Sequence, residues 1–201
     1  MKLIEKVHGS YIHERRSRVL ARHIAELLPE KARVLDVGCG DGLVASLIAK
    51  LRPDIEIRGL DVMVREQTLI PVDPFDGQHL PCPDASFDAV IFVDVLHHTD
   101  DPTVLLREAR RVTRRCIIIK DHDRSGPFAQ STLEFMDRIG NARHGVILPY
   151  NYWSRREWLA ACEQLSLQVS EWRDKLGIYP PPASWLFERS LHFISRLDLK
   201  K

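Results

Sequence analysis

The chain has 201 residues, of which 44% are hydrophobic and 28% charged; this excludes a disordered tail, a collagen-like chain and a disulfide-stapled miniprotein. No apolar run approaches the roughly 18 residues of a membrane span, and the charged start, MKLIEK, lacks a hydrophobic signal core, so one cytoplasmic domain is expected. Net charge is +1, without the basic excess usual in nucleic-acid binders. Its distribution is uneven: residues 1–33 hold 8 basic and 4 acidic groups, 34–101 hold 4 and 13, and 102–201 hold 17 and 11. An acidic middle with basic flanks fits either a solvated surface or a middle that holds a cationic ligand.

Residues 11–28 place Ile12, Val19, Leu20, Ile24, Leu27 and Leu28 near a 3.6-residue period, an amphipathic helix that Pro29 stops. Arg33–Val37 is a short strand leading into Gly38-Cys-Gly-Asp-Gly42, and 43–51 (LVASLIAKL) is a helix. Residues 55–60 alternate as a second strand and deliver Asp61; 62–69 have length for about two helical turns. Residues 70–75 hold two prolines and form at most a weak edge strand. FDAVIFV, 87–93, is a strand buried on both faces. Pro102 opens a helix, and 116–119 is another buried strand ending at Lys120-Asp121-His122. A helix over 128–139, a helix over 154–165 capped by Ser154, and late strands at 167–172 and 190–194 complete the chain, with Pro180–Pro182 a stiff connector. Strands alternating with helices indicate a doubly wound parallel sheet. The four cysteines, Cys39, Cys82, Cys116 and Cys162, lie more than 30 residues apart, so buried, reduced thiols are expected.

The strongest signal is Val34-Leu-Asp-Val-Gly-Cys-Gly-Asp-Gly42 between strand and helix. In open α/β sheets a ligand binds outside the carboxyl ends of the strands. The dinucleotide fingerprint fails, because Leu43 stands at its sixth position, and no Gly-Lys-Ser/Thr follows for a phosphate. Asp36 and Asp41 make the loop a poor host for pyrophosphate and a better one for a cationic group. Asp61, at the end of the next strand, can accept from both hydroxyls of a ribose. The loop therefore suits a nucleoside bearing a positive group.

On these residues the chain resembles the class I S-adenosylmethionine-dependent methyltransferases, especially their small-molecule type 11 branch. The resemblance is carried by VLDVGCGDG (34–42), GLDV (59–62), PFDGQHLPCPDASFDAV (74–90) and FVDVLHHTDDP (92–102). It implies a Rossmann-like α/β fold: a seven-stranded, mostly parallel sheet with the last strand antiparallel and helices on both faces. It implies S-adenosyl-L-methionine as cofactor. Gly38, Cys39 and Gly40 would lie against its methionine part, with Asp36 near the ammonium. Asp61 would bind the ribose, Val62 would pack on the adenine, and Asp76 with Gly77 would meet the adenine amino group. Asp94 and Val95 would touch the methionine part or the far face of the adenine. The division expected is 1–30 as an N-terminal helical cap, 31–122 as cofactor-binding core, 123–153 as a substrate lid and 154–201 as C-terminal helix and last strands.

The implied reaction is in-line displacement at the sulfonium methyl, in which the protein aligns the reactants and excludes water. A general base is needed only where the acceptor loses a proton. His122 is the first candidate; Asp121, His144 and Tyr152 are the others. His97 and His98 are read as shaping the loop beside the cofactor. Asp94, Asp121, His122 and Asp123 could converge on an ion but lack a motif spacing, and no metal is assigned. Phe128, Phe135 and Ile139 share one helical face, which either packs on the sheet or forms an apolar lid. With arginines 124, 138, 143, 155 and 156 nearby, the acceptor is expected to be a small molecule, partly apolar or anionic. The oligomeric state is left at monomer or homodimer. A protein or nucleic-acid methyltransferase, a non-catalytic S-adenosylmethionine-binding protein and a nicotinamide oxidoreductase are the other readings. Asp94-Val-Leu-His97 replaces the Asn/Asp-Pro-Pro-aromatic motif of adenine-N6 enzymes, so nucleic acid is disfavoured.

Overall fold

The computed structural model describes residues 2–141, 150–181 and 183–200. In chain order the elements are α1 (Lys2–Leu27), β1 (Arg33–Val37), α2 (Leu43–Leu51), β2 (Glu56–Asp61), β3 (Val72–Pro74), β4 (Phe87–Val93) and α3 (Pro102–Val112). Then follow β5 (Thr113–His122), α4 (Ala129–Asn141), α5 (Arg155–Gln164), β6 (Leu167–Arg173), α6 (Ala183–Phe187) and β7 (His192–Leu199). The strands form one seven-stranded sheet in the order β3-β2-β1-β4-β5-β7-β6. Its first five members run parallel, and β7 is antiparallel to both β5 and β6. This is the Rossmann-like sheet with an antiparallel last strand that the sequence implied. Among the described residues no helix is long and apolar enough to cross a membrane.

The central strands are apolar on both faces because both faces are covered. Val34, Ala89, Ile91, Cys116 and Ile118 pack with Leu20 and Ile24 of α1 and Ala45 and Ile48 of α2. The alternate residues Leu35, Val90, Phe92, Ile117 and Ile119 pack with Leu105, Leu106 and Ala109 of α3 and Trp158 of α5. The period-2 alternation thus sorts one strand sequence into two cores. α1 leads down to Pro29 and β1, and Arg16 in its middle reaches Asp94 in the loop that ends β4.

Four expectations need correction. Residues 62–69 form no helix. Asp61 Oδ1 instead accepts from the main-chain N–H of Met63, and Leu69 N–H donates to the carbonyl of Asp41, which fixes an open loop. The strand read as 116–119 extends to 113–122: its start pairs with β4 through Phe87↔Thr113, and its end pairs with β7 through Lys120↔Ile194, Asp121↔Phe193 and His122↔His192. The last strand runs 192–199 rather than 190–194. Phe128 precedes α4, and both it and Phe135 are exposed; α4 packs instead through Ala129 and Leu133 onto Tyr152 and Leu191. The Ile139 side chain lies outside the described residues. Ser154 does cap α5, in a capping box with Glu157. The cysteines are free, with Cys116 and Cys162 buried.

Candidate active site

The glycine loop leaves β1 at the carboxyl edge of the sheet. It is tied to β2, since Gly38 and Cys39 N–H both donate to the carbonyl of Leu60, at 2.7 and 3.2 Å. Gly40 N–H donates to Asp61 Oδ2 at 2.7 Å. Gly38 has φ +74°, and a Cβ there would stand 2.6 Å from Val95 Cγ2; only glycine combines that backbone with that approach. Gly40 has φ +60°, and a Cβ there would meet nothing within 4 Å. The loop is therefore closed beneath Gly38 and open above Gly40.

Asp36 stands below this loop, 2% exposed. Its Oδ1 is buried with no hydrogen-bond partner. Burial, then the charge of Asp61, pushes its carboxyl up to about 7. Such an oxygen calls for a cationic donor. Burial, followed by Asp36 and Asp61, lifts the Cys39 thiol to about 12, so it is no nucleophile at neutral pH. Val62 is exposed, and its Cγ1 would be 3.2 Å from a Cβ at Gly77, so these two positions adjoin. Asp76 Oδ1 accepts from Gln78 and His79 N–H, which hold its carboxyl below the usual carboxylate range.

Across the edge lies a buried polar cluster. Asp121 is fully buried; its Oδ2 accepts from Leu96 N–H, and its Oδ1 accepts from His122 N–H and faces His97 Nδ1 at 2.7 Å. Burial raises its carboxyl, but His97 and the bonds from His122 and His97 outweigh this and hold it well below the ordinary range. His122 Nδ1 lies 3.4 Å from His97 Nδ1. Burial, then the Lys120 charge, pulls His122 down to about 4, leaving a neutral imidazole at pH 7. Tyr152 stacks on His97, ring centroids 5.5 Å apart, and meets His122 edge-on at 5.6 Å. Asp94 begins the loop after β4 with φ +57°. Its two carboxylate oxygens pair with Lys120 Nζ and Arg16 of α1. Burial opposes its ionisation, yet Arg16 and Lys120 hold it well below its ordinary value. Burial likewise lowers Lys120.

The sequence-based candidates thus gather in two groups. Asp36, Gly38, Cys39, Gly40 and Asp61 form the glycine-loop side, with Val95 packed against Gly38. Asp121, His122 and Tyr152 form the opposite side, and His144 lies outside the described residues. Asp94 bridges Arg16 and Lys120.

A family model described as "Methyltransferase domain" matches residues 11–171. The chain belongs to the class I S-adenosylmethionine-dependent methyltransferase family. It is 30% identical over 167 residues to an uncharacterized methyltransferase of Mycobacterium tuberculosis, covering 79% of this chain and 74% of that protein. It is 32% identical over 110 residues to 27-O-demethylrifamycin SV methyltransferase of Amycolatopsis mediterranei, a match spanning 47% of this chain and 40% of that one. A solved SAM-dependent methyltransferase from Aquifex aeolicus shares the fold, with TM-score 0.61 and 18% identity, covering 89% of this chain and 88% of that one. For this methyltransferase the unpartnered Asp36 oxygen and the open space over Gly40 fit a cofactor with a cationic amino-acid end.

Sequence reasoning missed Arg16, Lys120 and His192 as site residues and gave His97 only a loop-shaping role. Lys120 carried a signal, as a charge continuing the run Cys116-Ile-Ile-Ile. His192 carried none, because its place beside His122 depends on the β5–β7 register.

Proposed function

We propose that the protein transfers a methyl group from S-adenosyl-L-methionine to a small, partly apolar acceptor by in-line displacement. The observation that carries this reading is Asp36, a buried carboxylate oxygen without a donor beneath a glycine loop that is open above Gly40. Bound there, the cofactor supplies an electrophilic methyl group on a sulfonium. Asp36 would hold its ammonium, and Asp61 keeps acceptor capacity for ribose hydroxyls beyond the two main-chain N–H groups it already binds. Gly38, Cys39 and Gly40 would line the methionine part. Val62, Asp76 and Gly77 would flank the adenine, and Val95 would back Gly38.

On the acceptor side His122 is neutral and can accept a proton. Asp121 acts by position: its oxygens are engaged by main-chain N–H groups, and it orients His97. Tyr152 walls the histidines off from solvent beneath α4. The exposed rings of Phe128 and Phe135 at α4 give an apolar approach. The acceptor of the rifamycin relative is likewise a small molecule, and cytoplasmic residence and a monomeric or homodimeric state remain part of this reading.

Calorimetric titration with S-adenosylmethionine, S-adenosylhomocysteine and NAD tests the cofactor; the expected result is binding of the first two alone, and binding of NAD alone defeats the reading. Two loop variants separate packing from ligand contact. Gly38→Ala drives a Cβ into Val95 and should cost about 2–4 kcal/mol in denaturant unfolding. Gly40→Ala meets no protein atom, so it should cost only the backbone strain of about 1–2 kcal/mol. It should nonetheless weaken S-adenosylhomocysteine binding, because the added methyl enters the space assigned to the cofactor. Unaltered binding would move the cofactor off Gly40.

A further inference from the structure

The side chains of His97, Asp121 and His122 converge more closely than a hydrogen-bonded pair requires. His97 Nδ1 and Asp121 Oδ1 are 2.7 Å apart, His122 Nδ1 and Asp121 Oδ1 3.3 Å, and the two Nδ1 atoms 3.4 Å. All three residues are buried, and they form a set of ligand-type atoms able to surround one ion. A tetrahedral zinc ion with bonds of about 2.0–2.2 Å holds its ligand atoms roughly 3.3–3.5 Å from one another. Two of the three separations already have that value. The third is a hydrogen bond that an ion would replace, opening it by a little over half an ångström.

We propose that His97, Asp121 and His122 form a binding site for a late first-row divalent cation such as zinc, held through two Nδ1 atoms and one carboxylate oxygen. Two imidazoles and a carboxylate suit zinc, cobalt or iron and disfavour magnesium or calcium, which take oxygen ligands. The surroundings orient the ligands as metal sites require. Leu96 N–H fixes the second oxygen of Asp121, and His122 N–H fixes the first. His122 Nε2 lies 3.8 Å from Asp94 Oδ1, so a carboxylate faces the nitrogen that carries the proton when Nδ1 binds the ion. Lys120, the neighbouring cation, is paired with Asp94. Three protein ligands leave a position open for water or an acceptor oxygen. Occupancy excludes both the His97–Asp121 hydrogen bond and the use of His122 as proton acceptor, since Nδ1 would bind the ion and Nε2 would carry the proton; the two roles of His122 belong to the metal-loaded and the metal-free protein respectively. The site does not depend on the cofactor reading, because none of its three ligands belongs to the glycine loop.

The test is titration of the chelator-treated full chain with cobalt(II), followed by displacement with zinc. One equivalent of cobalt with visible d–d absorption is expected. His97→Gln and His122→Phe should each weaken binding by more than the roughly 10–100-fold that loss of an outer partner costs. Melting curves of both variants check that they fold. A second readout needs no variant: zinc should shift the imidazole ¹⁵N resonances of two histidines in the wild-type chain in the pattern of Nδ1 ligation. Absence of binding at millimolar metal overturns the proposal. So does stoichiometric binding that survives in both folded variants, or ligation by other histidines in the ¹⁵N spectrum.

Discussion

Asp36→Asn is expected to make the free protein more stable and its cofactor binding weaker, a change of opposite sign in two measurements. Asp36 is buried, and burial with the Asp61 charge raises its carboxyl to about 7. In the unfolded chain the same group titrates near the ordinary value of about 3.9. Between those values the folded state binds more protons, so this carboxylate costs stability progressively as pH rises from 4 to 7, and fully above 7. The asparagine removes that cost, less the penalty of burying an amide with unpaired donors, about 1–3 kcal/mol. Its melting midpoint should exceed that of the wild type by a few degrees at pH 8, and the difference should shrink toward pH 4. Cofactor binding moves the other way. A charge-assisted hydrogen bond is worth about 1.5–3 kcal/mol, or roughly 10- to 150-fold in dissociation constant.

The same carboxyl gives the pH dependence of binding. Below pH 7 it is increasingly protonated in the free protein, and an ammonium ligand must displace that proton. Wild-type affinity should therefore fall by up to about tenfold for each pH unit below 7, with proton release visible in calorimetry in two buffers. The asparagine variant should be flat over that range. Kinetically the effect belongs to kcat/KM for the cofactor. His122, pulled down to about 4, leaves kcat untouched there. Equal affinities for the two proteins at pH 8 would remove Asp36 from the cofactor site.

The elements that the sequence predicted with the right bounds are β1, which runs into Gly38, α2, which lies between Gly42 and Pro53, and β4, whose apolar run ends at the charge of Asp94. Burial on both faces makes FDAVIFV unmistakable, and the glycine loop needs no tertiary information to place it after β1. Residues 62–69 failed for the reverse reason: their backbone is fixed by Asp61 and by the Asp41 carbonyl rather than by a local 3.6-residue period. The C-terminal end of β5 failed because three charged or polar residues, Lys120, Asp121 and His122, are paired by β7, whose partners Ile194, Phe193 and His192 are remote in the chain. The site divides in the same way. The glycine-loop half is local in sequence and was legible as a constellation. The other half is assembled from α1, the β4 loop, β5, the segment at Tyr152 and β7, and only the fold shows which of nine histidines meet.

Asp94→Asn should cause the largest loss of stability among single substitutions at the site. Asn fits the left-handed backbone at φ +57° as well as Asp does, and it has the same size. The variant therefore changes little but the charge. Asp94 is shared between Lys120 and Arg16, and the Lys120 side chain is wholly buried. Without the carboxylate that ammonium is buried uncompensated, at about 3–5 kcal/mol. At about 2–4 °C per kcal/mol for a domain of this size, the melting midpoint should fall by roughly 6–20 °C. Lys120→Met should be far milder, since it removes the buried charge and leaves Asp94 with Arg16. Combining Lys120→Met with Asp94→Asn should recover most of the loss, which identifies the lone ammonium as its cause. The pH dependence has a definite sign. Burial already lowers Lys120, and losing Asp94 lowers it further, so the unfolded chain binds more protons and the variant's deficit should narrow as pH rises toward 10. Because Arg16 belongs to α1, the variant also frees that helix from the β4 loop; amide exchange in α1 should quicken even at temperatures where the sheet remains intact. A wild-type midpoint for Asp94→Asn would mean that Lys120 is neutral in the folded protein and that α1 is held by its apolar face and its other polar ties, such as Arg15 to the Gly177 carbonyl and Arg173 to Glu26, without need of Asp94.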